Sequence, residues 1–209
     1  MATGAEPFDQ LLRRGPPALD PDLNLSPASA AGRASLTCLA VEPSASRFLL
    51  CGGIDGRLHL MDLRAGGATT KRSTRRDHAA CVVGLGWYGD GGCFASADSG
   101  GGVRFWDAMN FVSVCAWDLG RAVGAAALAA FASGPLATVT AAGCGDGGVR
   151  LCDARAGSCA TTLDGCHVGA VAAVAWHPTD GFSLATGGAD GTARLWVRRF
   201  IMYSSTRLV

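Results

Sequence analysis

Four internal repeats predict an all-β fold: an incomplete β-propeller of about four blades, preceded by a short N-terminal helical segment. In each repeat a short apolar run is followed by a Gly/Asp-rich turn and an alternating strand. Equivalent positions near the end of these hairpins recur at intervals of 45, 46 and 44 residues, at Met61, Trp106, Cys152 and Trp196. Repeats of about 40–50 residues with this strand pattern are typical of WD-type propeller blades.

An earlier apolar run in each repeat supplies the first strand of the blade. These runs lie at 36–41, 82–87, 123–128 and 171–176. A fourth strand is expected in three less regular segments, 68–75, 111–117 and 159–163. Each blade is therefore predicted to be a small antiparallel sheet.

The repeats divide the chain into three regions. Residues 1–33 precede the blades, residues 34–199 contain four WD-type blades, and residues 200–209 form a divergent tail. Because four blades leave strand edges open, we expect the chain to be a truncated form of a longer ring. Phe200–Tyr203 is a candidate for an improvised outer strand.

The composition excludes several classes of protein. Of the 209 residues, 49% are hydrophobic and only 17% are charged, which excludes a disordered chain. The formal net charge of +1 provides no field that would attract nucleic acid or an anionic membrane. The uncharged stretch 122–145 is long enough to span a bilayer, but it is mostly Ala, Gly, Ser and Thr and follows the repeat pattern. We expect neither membrane insertion nor sequence-specific binding of nucleic acid.

The nine cysteines indicate a reducing compartment. Their number is odd, and the N-terminus has no apolar signal-peptide core. A metal site is conceivable where four cysteines are spaced evenly before a histidine, at Cys144, Cys152, Cys159, Cys166 and His167. Because no C-x-x-C pair is present, buried apolar cysteines explain the pattern better. We predict no metal and no cofactor.

A polar constellation in the last repeat predicts a structural hydrogen-bond network. His167 precedes the first strand, Thr186 and Asp190 lie ten and six residues before Trp196, and the four side chains can form one chain. A catalytic triad also uses His, Asp and a hydroxyl group. Here the hydroxyl group would lie inside a strand, so we expect no catalysis. The second repeat retains His78 but has Gly100 at the turn position.

The N-terminal region contains a candidate docking helix. Phe8, Leu11 and Leu12 follow the i, i+3, i+4 spacing of one apolar helix face, and Gly15-Pro16-Pro17 ends the segment. A frayed tail is the alternative interpretation. An amphipathic helix of this kind can dock its apolar face into a partner's groove.

Several segments resemble one family of repeat proteins. They are FDQLLRR with LDPDLNL near the N-terminus, LLCGGIDGRLHLMDL in the first repeat and VRLCDARAGSC in the third. The order of these features resembles the Cockayne syndrome A family of WD-repeat DNA-repair factors. Nearly all of this chain, from about Phe8 to Arg199, is covered, and it corresponds to the N-terminal half of a seven-bladed family member.

The resemblance implies a non-enzymatic function in the nucleus. Family members are substrate receptors of a cullin-4 ubiquitin ligase, act in transcription-coupled nucleotide excision repair at stalled RNA polymerase II with other repair factors, and bind the adaptor damaged-DNA-binding protein 1. The implied adaptor-binding residues here are Phe8, Leu11, Leu12, Arg64 and Arg155, the last two within Asp-x-Arg at blade ends.

Two other interpretations remain open. The blades alone are compatible with a generic WD-repeat scaffold in another assembly, because a fold does not fix a function. A non-functional truncated fragment is the second alternative. No phosphate-binding loop, nucleophile–base pair or metal spacing in the sequence indicates an enzyme.

Overall fold

In the part of the chain that the structure describes, fifteen β-strands form four antiparallel sheets that follow one another in sequence. The computed structural model describes residues 35–63, 70–89, 91–120, 122–130, 138–177 and 183–197. We call the sheets blades 1 to 4. Blades 1 to 3 have four strands each, and three strands are described in blade 4.

The strands of each blade are adjacent in sequence order. Blade 1 comprises β1 (Leu36–Val41), β2 (Phe48–Gly53), β3 (Arg57–Asp62) and β4 (Thr70–Arg76). Blade 2 comprises β5 (Val82–Tyr88), β6 (Cys93–Asp98), β7 (Gly102–Asp107) and β8 (Val112–Asp118). Blade 3 comprises β9 (Val123–Ala130), β10 (Val139–Cys144), β11 (Val149–Asp153) and β12 (Ser158–Leu163). Blade 4 comprises β13 (Val171–Trp176), β14 (Ser183–Gly188) and β15 (Ala193–Val197).

Aspartate–glycine turns join the second and third strands, as the sequence predicts. In blades 1 and 3 the turn glycines are Gly56 and Gly147, with φ of 77° and 83°. Only glycine adopts this left-handed conformation without a steric penalty. The turn also needs the missing side chain for space, because a Cβ on Gly56 would lie 2.3 Å from the carbonyl oxygen of His78 in the next blade. A Cβ on Gly147 would meet the carbonyl oxygen of His167 at 2.2 Å.

The apolar core lies between the blades. The first strands β1, β5, β9 and β13 contact one another in chain order. Between blades 1 and 2, Leu50 and Leu58 join an aromatic group in which Phe94 stacks on Trp106, with centroids 5.5 Å apart and planes 4° apart. A second cluster joins blades 2, 3 and 4 and includes Val103 and Val149, both fully buried. Each blade therefore depends on its neighbours for burial of its apolar faces.

The strands of the described residues confirm the predicted all-β fold. Strands β4, β8 and β12 confirm the predicted positions of the fourth strands. The predicted helical segment 1–33 and the candidate strand Phe200–Tyr203 lie outside the described residues. Within the described part of 122–145 the chain forms β9 and β10. No helix with the length and apolar character needed to cross a bilayer occurs among the described residues.

Candidate interaction surfaces and the polar networks behind them

The four network residues predicted in the last repeat are in mutual contact in blade 4. His167 Nδ1 lies 3.0 Å from Asp190 Oδ1, and His167 Nε2 lies 2.8 Å from Thr186 Oγ1. The indole nitrogen of Trp196 donates to the same hydroxyl oxygen at 2.9 Å. An imidazole that donates from Nδ1 to the carboxylate and accepts the threonine proton at Nε2 satisfies every member of this chain.

Asp190 is held as a carboxylate by several donors. The backbone N–H of Val168 donates to Oδ2 at 3.0 Å, and the hydroxyl group of Thr192 donates to Oδ1 at 2.8 Å. These hydrogen bonds, with that from His167, keep the pKa of Asp190 well below its usual range although burial acts in the opposite direction. The turn after β14 is thereby fixed to the segment that precedes β13.

Blade 2 contains a second network, which the sequence only half predicts. His78 Nε2 lies 2.6 Å from Ser96 Oγ, and the indole nitrogen of Trp106 donates to that oxygen at 2.8 Å. The carboxylate comes from Asp98, whose Oδ2 lies 2.8 Å from His78 Nδ1. The glycine at the expected turn position, Gly100, therefore does not break the network, because an aspartate two residues earlier supplies the acceptor.

Burial and hydrogen bonding set the charge states of this pair. Burial lowers the pKa of His78, although its hydrogen bond to Asp98 acts in the opposite direction. Burial acts to raise the pKa of Asp98, but hydrogen bonds from His78 and from the N–H groups of Gly102 and Gly100 together lower it. The pair is thus a neutral imidazole next to a carboxylate at neutral pH.

The hydroxyl groups of both networks are inaccessible to a substrate. Ser96 is fully buried and Thr186 is 3% exposed. Each oxygen already accepts an indole N–H and contacts the imidazole. Because a nucleophile must reach a substrate carbonyl carbon directly, this arrangement supports the sheet and does not activate a hydroxyl group.

Blades 1 and 3 lack the tryptophan and use different contacts. In blade 1 the sulfur atoms of Cys51 and Met61 lie 3.8 Å apart in the places that the hydroxyl and indole groups occupy in blade 2. In blade 3 the corresponding side chains are those of Ala142 and Cys152, both fully buried. Small apolar groups here replace the polar network of blades 2 and 4.

The odd-numbered blades instead provide acceptors for the even-numbered ones. Trp87 in β5 donates from its indole nitrogen to the carbonyl oxygen of Ala40 in β1 at 3.0 Å. Trp176 in β13 donates in the same way to Ala129 in β9, also at 3.0 Å and across the same separation of 47 residues. The blades are therefore organised as two similar pairs, 1 with 2 and 3 with 4.

A different contact joins the two pairs. Tyr88 at the end of β5 hydrogen bonds through its hydroxyl group to Thr140 in β10. Both side chains are buried, and burial raises the pKa of Tyr88 well above its usual range. The position in β9 that corresponds to Trp87 is Ala130, and a Cβ on Gly86 would lie only 3.0 Å from it. Small residues thus let these first strands approach closely.

The residues predicted to bind an adaptor are only partly described. Phe8, Leu11, Leu12 and Arg64 lie outside the described residues. Arg155 lies in the turn after β11 and is exposed; its backbone N–H donates to Asp153 Oδ1 at 3.0 Å. Asp153 also accepts the hydroxyl group of Thr138 at 2.8 Å. The Asp-x-Arg segment of blade 3 therefore holds its aspartate in the turn while its arginine lies at the surface.

An exposed apolar sheet face, which the sequence does not reveal, lies on blade 4. Leu195 and Val197 in β15 are 69% and 48% exposed. Ala185 pairs with Leu195 and is also exposed. The side chain that matches Leu195 in blade 3 is Leu151, which is 3% exposed. The face that blade 3 buries against blade 4 therefore has no further described blade against it on blade 4.

A shallow cleft of about 390 Å³ lies at the rim of blade 2. Charged side chains at its wall are those of Asp77, Asp98, Arg104 and Asp118. Asp98 already belongs to the buried network, and Asp118 accepts the N–H of Gly120 at 2.9 Å. The cleft is thus a charged recess beside the turn between β6 and β7.

The cysteines considered as metal ligands are apolar in their surroundings. Cys144, Cys152 and Cys166 are fully buried. Burial raises the pKa of the Cys166 thiol to about 11, and the thiol contacts the carbonyl oxygen of Leu163 at 3.2 Å. This thiol is therefore protonated at neutral pH. Within the described ranges, no group of three or more His, Cys, Asp or Glu side chains could hold a metal ion.

Comparison with known proteins identifies the repeat. Residues 157–197, which include blade 4, match the family described as WD domain, G-beta repeat. The chain is 31% identical over 189 residues to the ribosome biogenesis protein WDR12 homolog of Chlamydomonas reinhardtii, covering 76% of this chain and 40% of the relative. It is 30% identical over 183 residues to the WD repeat-containing protein ATCSA-1 of Arabidopsis thaliana, covering 80% and 40%.

Solved structures show the same fold. The crystal structure of RRP9 WD40 repeats superposes with a TM-score of 0.68 at 24% identity, covering 79% of this chain and 48% of the solved chain. This chain therefore spans about 40% of the curated relatives it matches and about half of that structure.

These findings define the chain as a WD-repeat protein with an all-β WD40 fold. In particular, it consists of WD40-type blades in which complete polar networks occupy blades 2 and 4.

Proposed function

We propose that this WD-repeat protein is a protein-interaction scaffold with no chemistry of its own. The observation that supports this proposal is the burial of the groups that could perform chemistry. The hydroxyl groups of Ser96 and Thr186 are buried and hydrogen bonded, and they support the sheets of blades 2 and 4. Loops held by a rigid scaffold of sheets are suited to binding another protein.

A hydroxyl-directed probe tests the non-enzymatic part of this proposal. A fluorophosphonate reacts with activated serine and threonine side chains, and we expect it to leave Ser96 and Thr186 unmodified in the folded protein. Peptide mass spectrometry gives the result for each residue. Stoichiometric modification of either residue, lost in a His78→Gln or His167→Gln variant, would show an activated nucleophile and contradict the proposal.

Within this class, we propose that the chain is a substrate receptor that binds damaged-DNA-binding protein 1 in a nuclear cullin-4 ubiquitin ligase. The support is the resemblance of the N-terminal and third-repeat segments to such receptors. The Asp-x-Arg turn of blade 3, where Arg155 is exposed at the end of β11, is consistent with it. By this resemblance the ligase would act at stalled RNA polymerase II in transcription-coupled nucleotide excision repair.

Binding to the purified adaptor tests the receptor proposal. We expect the wild-type chain to form a complex, and the Leu11→Asp, Leu12→Asp double variant to lose most of its affinity, because burial of a leucine contributes about 1.5–3 kcal/mol. Arg155→Glu should weaken the complex at least tenfold. Arg57→Glu is a matched control, since Arg57 is a surface arginine at the opposite end of a third strand.

The outcomes of this experiment distinguish the receptor proposal from the more general scaffold proposal. Equal affinity of wild type and both adaptor-site variants would overturn the receptor assignment and leave the scaffold class intact. Absence of any complex, together with co-purification of ribosome-assembly particles from cells, would instead favour a function like that named for the algal relative.

A further inference from the structure

Two cysteines from different blades converge on one backbone oxygen. Cys38 in β1 has its sulfur 3.6 Å from the carbonyl oxygen of Val82, and the sulfur of Cys81 lies 3.7 Å from the same atom. Because both sulfur atoms contact the same oxygen atom, they lie at most about 7.3 Å apart. Both residues are partly exposed, in contrast to the fully buried Cys51 nearby.

The surroundings bring this pair together between blades. Thr37 donates to the carbonyl oxygen of Val82 and contacts that of Gly52 at 3.0 Å, so β1 is joined to the start of β5 directly beside the thiols. A Cβ on Gly52 would lie 2.6 Å from the sulfur of Cys38 and 2.7 Å from a methyl group of Val82. The glycine thus leaves the space in which the Cys38 side chain lies.

We propose that Cys38 and Cys81 are a redox-sensitive thiol pair that forms a reversible disulfide between blades 1 and 2. The oxidant is a low-molecular-weight disulfide such as oxidised glutathione. The Cys81 thiolate attacks one sulfur of the oxidant, which forms a mixed disulfide and releases one thiolate. The Cys38 thiolate then attacks the Cys81 sulfur and releases the second. Two protein thiols lose two protons and two electrons, and the oxidant becomes two thiols.

The environments of the thiols assign these two roles. Burial raises the pKa of Cys38, and the neighbouring Cys81 adds to this effect. A thiol with a raised pKa is a poor first nucleophile and can act second, when the mixed disulfide holds an electrophilic sulfur next to it. Cys51 is excluded from the exchange because burial raises its pKa to about 11 and because its sulfur packs on that of Met61.

Oxidation of the purified full chain with oxidised glutathione, followed by peptide mass spectrometry without reduction, tests the proposal. A Cys93→Ser background is used because trypsin leaves Cys81 and Cys93 on one peptide. We expect a cross-link between the peptides 34–47 and 77–104, two hydrogens lighter than their sum. The melting temperature should rise with oxidation and return after addition of dithiothreitol.

Single variants distinguish this pathway from unspecific oxidation. Cys38→Ser should accumulate a glutathione adduct on Cys81, whereas Cys81→Ser should leave Cys38 largely unmodified. Cys115→Ser, a partly buried cysteine in β8, is the control and should retain the cross-link. The proposal is overturned if the background protein shows no cross-link, if stable adducts accumulate on both cysteines without one, or if Cys38 pairs with another cysteine.

Discussion

The indole nitrogen of Trp87 donates to the carbonyl oxygen of Ala40 in the preceding blade at 3.0 Å, and Trp176 repeats this contact with Ala129. The bond joins first strands that have no ladder hydrogen bonds with each other. It also occurs only where an even-numbered blade follows an odd-numbered one within the described residues. A specific hydrogen bond therefore marks the two blade pairs.

Removal of this bond should destabilise the pair of blades that it joins. We expect Trp87→Phe to lower the free energy of unfolding by about 1–2 kcal/mol, because the partly buried carbonyl of Ala40 loses its indole donor while most of the aromatic packing remains. Trp176→Phe should have a similar effect. Urea denaturation monitored by circular dichroism measures both, and an unchanged midpoint for both variants would show that the bond contributes nothing.

The carboxylate that accepts from His78 in blade 2 should also be able to act from position 100 instead of position 98. Asp98→Gly leaves buried His78 without its acceptor, and we expect a loss of about 2–4 kcal/mol. The double variant Asp98→Gly, Gly100→Asp copies the arrangement of blade 4, where Gly188 and Asp190 occupy these positions. It should recover most of the lost stability in urea denaturation.

The reverse exchange should fail in blade 4, for a steric reason. A Cβ on Gly188 would lie 2.4 Å from the ring of His167. Gly188→Asp with Asp190→Gly should therefore unfold at a lower urea concentration than Asp190→Gly alone. If instead this exchange restored stability, the two networks would be interchangeable and the assigned contacts would be wrong.

The network of blade 2 should make stability depend on pH. Because burial lowers the pKa of His78, the unfolded state binds a proton at a higher pH than the folded state does. The resulting stabilisation is complete above the ordinary histidine pKa of about 6.5 and is lost as the pH falls through that value towards the lowered one. Stability should thus decrease from pH 7.5 to pH 5.5.

Comparison of two histidine variants isolates this contribution. His78→Gln should be less stable at pH 7.5 but should lose less stability than wild type on acidification. His177→Gln is the control, because His177 is exposed after β13. Urea midpoints at both pH values provide the measurement. A wild-type slope retained in His78→Gln would assign the pH dependence to other groups.

Equivalent leucines in blades 3 and 4 should respond differently to truncation. Leu151→Ala removes a side chain that is 3% exposed, and we expect a loss of about 2–5 kcal/mol. Leu195→Ala changes a side chain that is 69% exposed and should alter stability by no more than about 0.5 kcal/mol. Thermal unfolding of both variants under identical conditions is the measurement. Equal losses would mean that the face of blade 4 is covered in solution.

The periodic part of the fold could be predicted because it depends on local rules. The spacing from Met61 to Trp196 and the turn glycines Gly56 and Gly147 place the hairpins, since turn geometry and strand alternation are properties of short segments. The network of His167, Thr186, Asp190 and Trp196 follows from fixed offsets within one repeat. The docking residues Phe8, Leu11 and Leu12 remain predictions, because they lie outside the described residues.

The role of Asp98 could not be predicted from the repeat alignment. An aspartate at the end of β6 does not occupy the consensus turn position, yet its carboxylate contacts His78 and accepts the backbone N–H groups of Gly100 and Gly102. A search for any carboxylate near the hydroxyl position, rather than for one fixed offset, would have found it. The local repeat pattern therefore predicts strand β6, but it does not predict which carboxylate completes the network.

By itself, the sequence determined that this protein is built from repeated antiparallel hairpins, because apolar periodicity and aspartate–glycine turns act within a few residues of one another. Only the tertiary structure decided how the blades are joined. The Trp87–Ala40 contact and the convergence of Cys38 and Cys81 on Val82 both depend on which blade faces which. Such contacts join residues far apart in the chain, and packing between sheets, not local conformational preference, selects them.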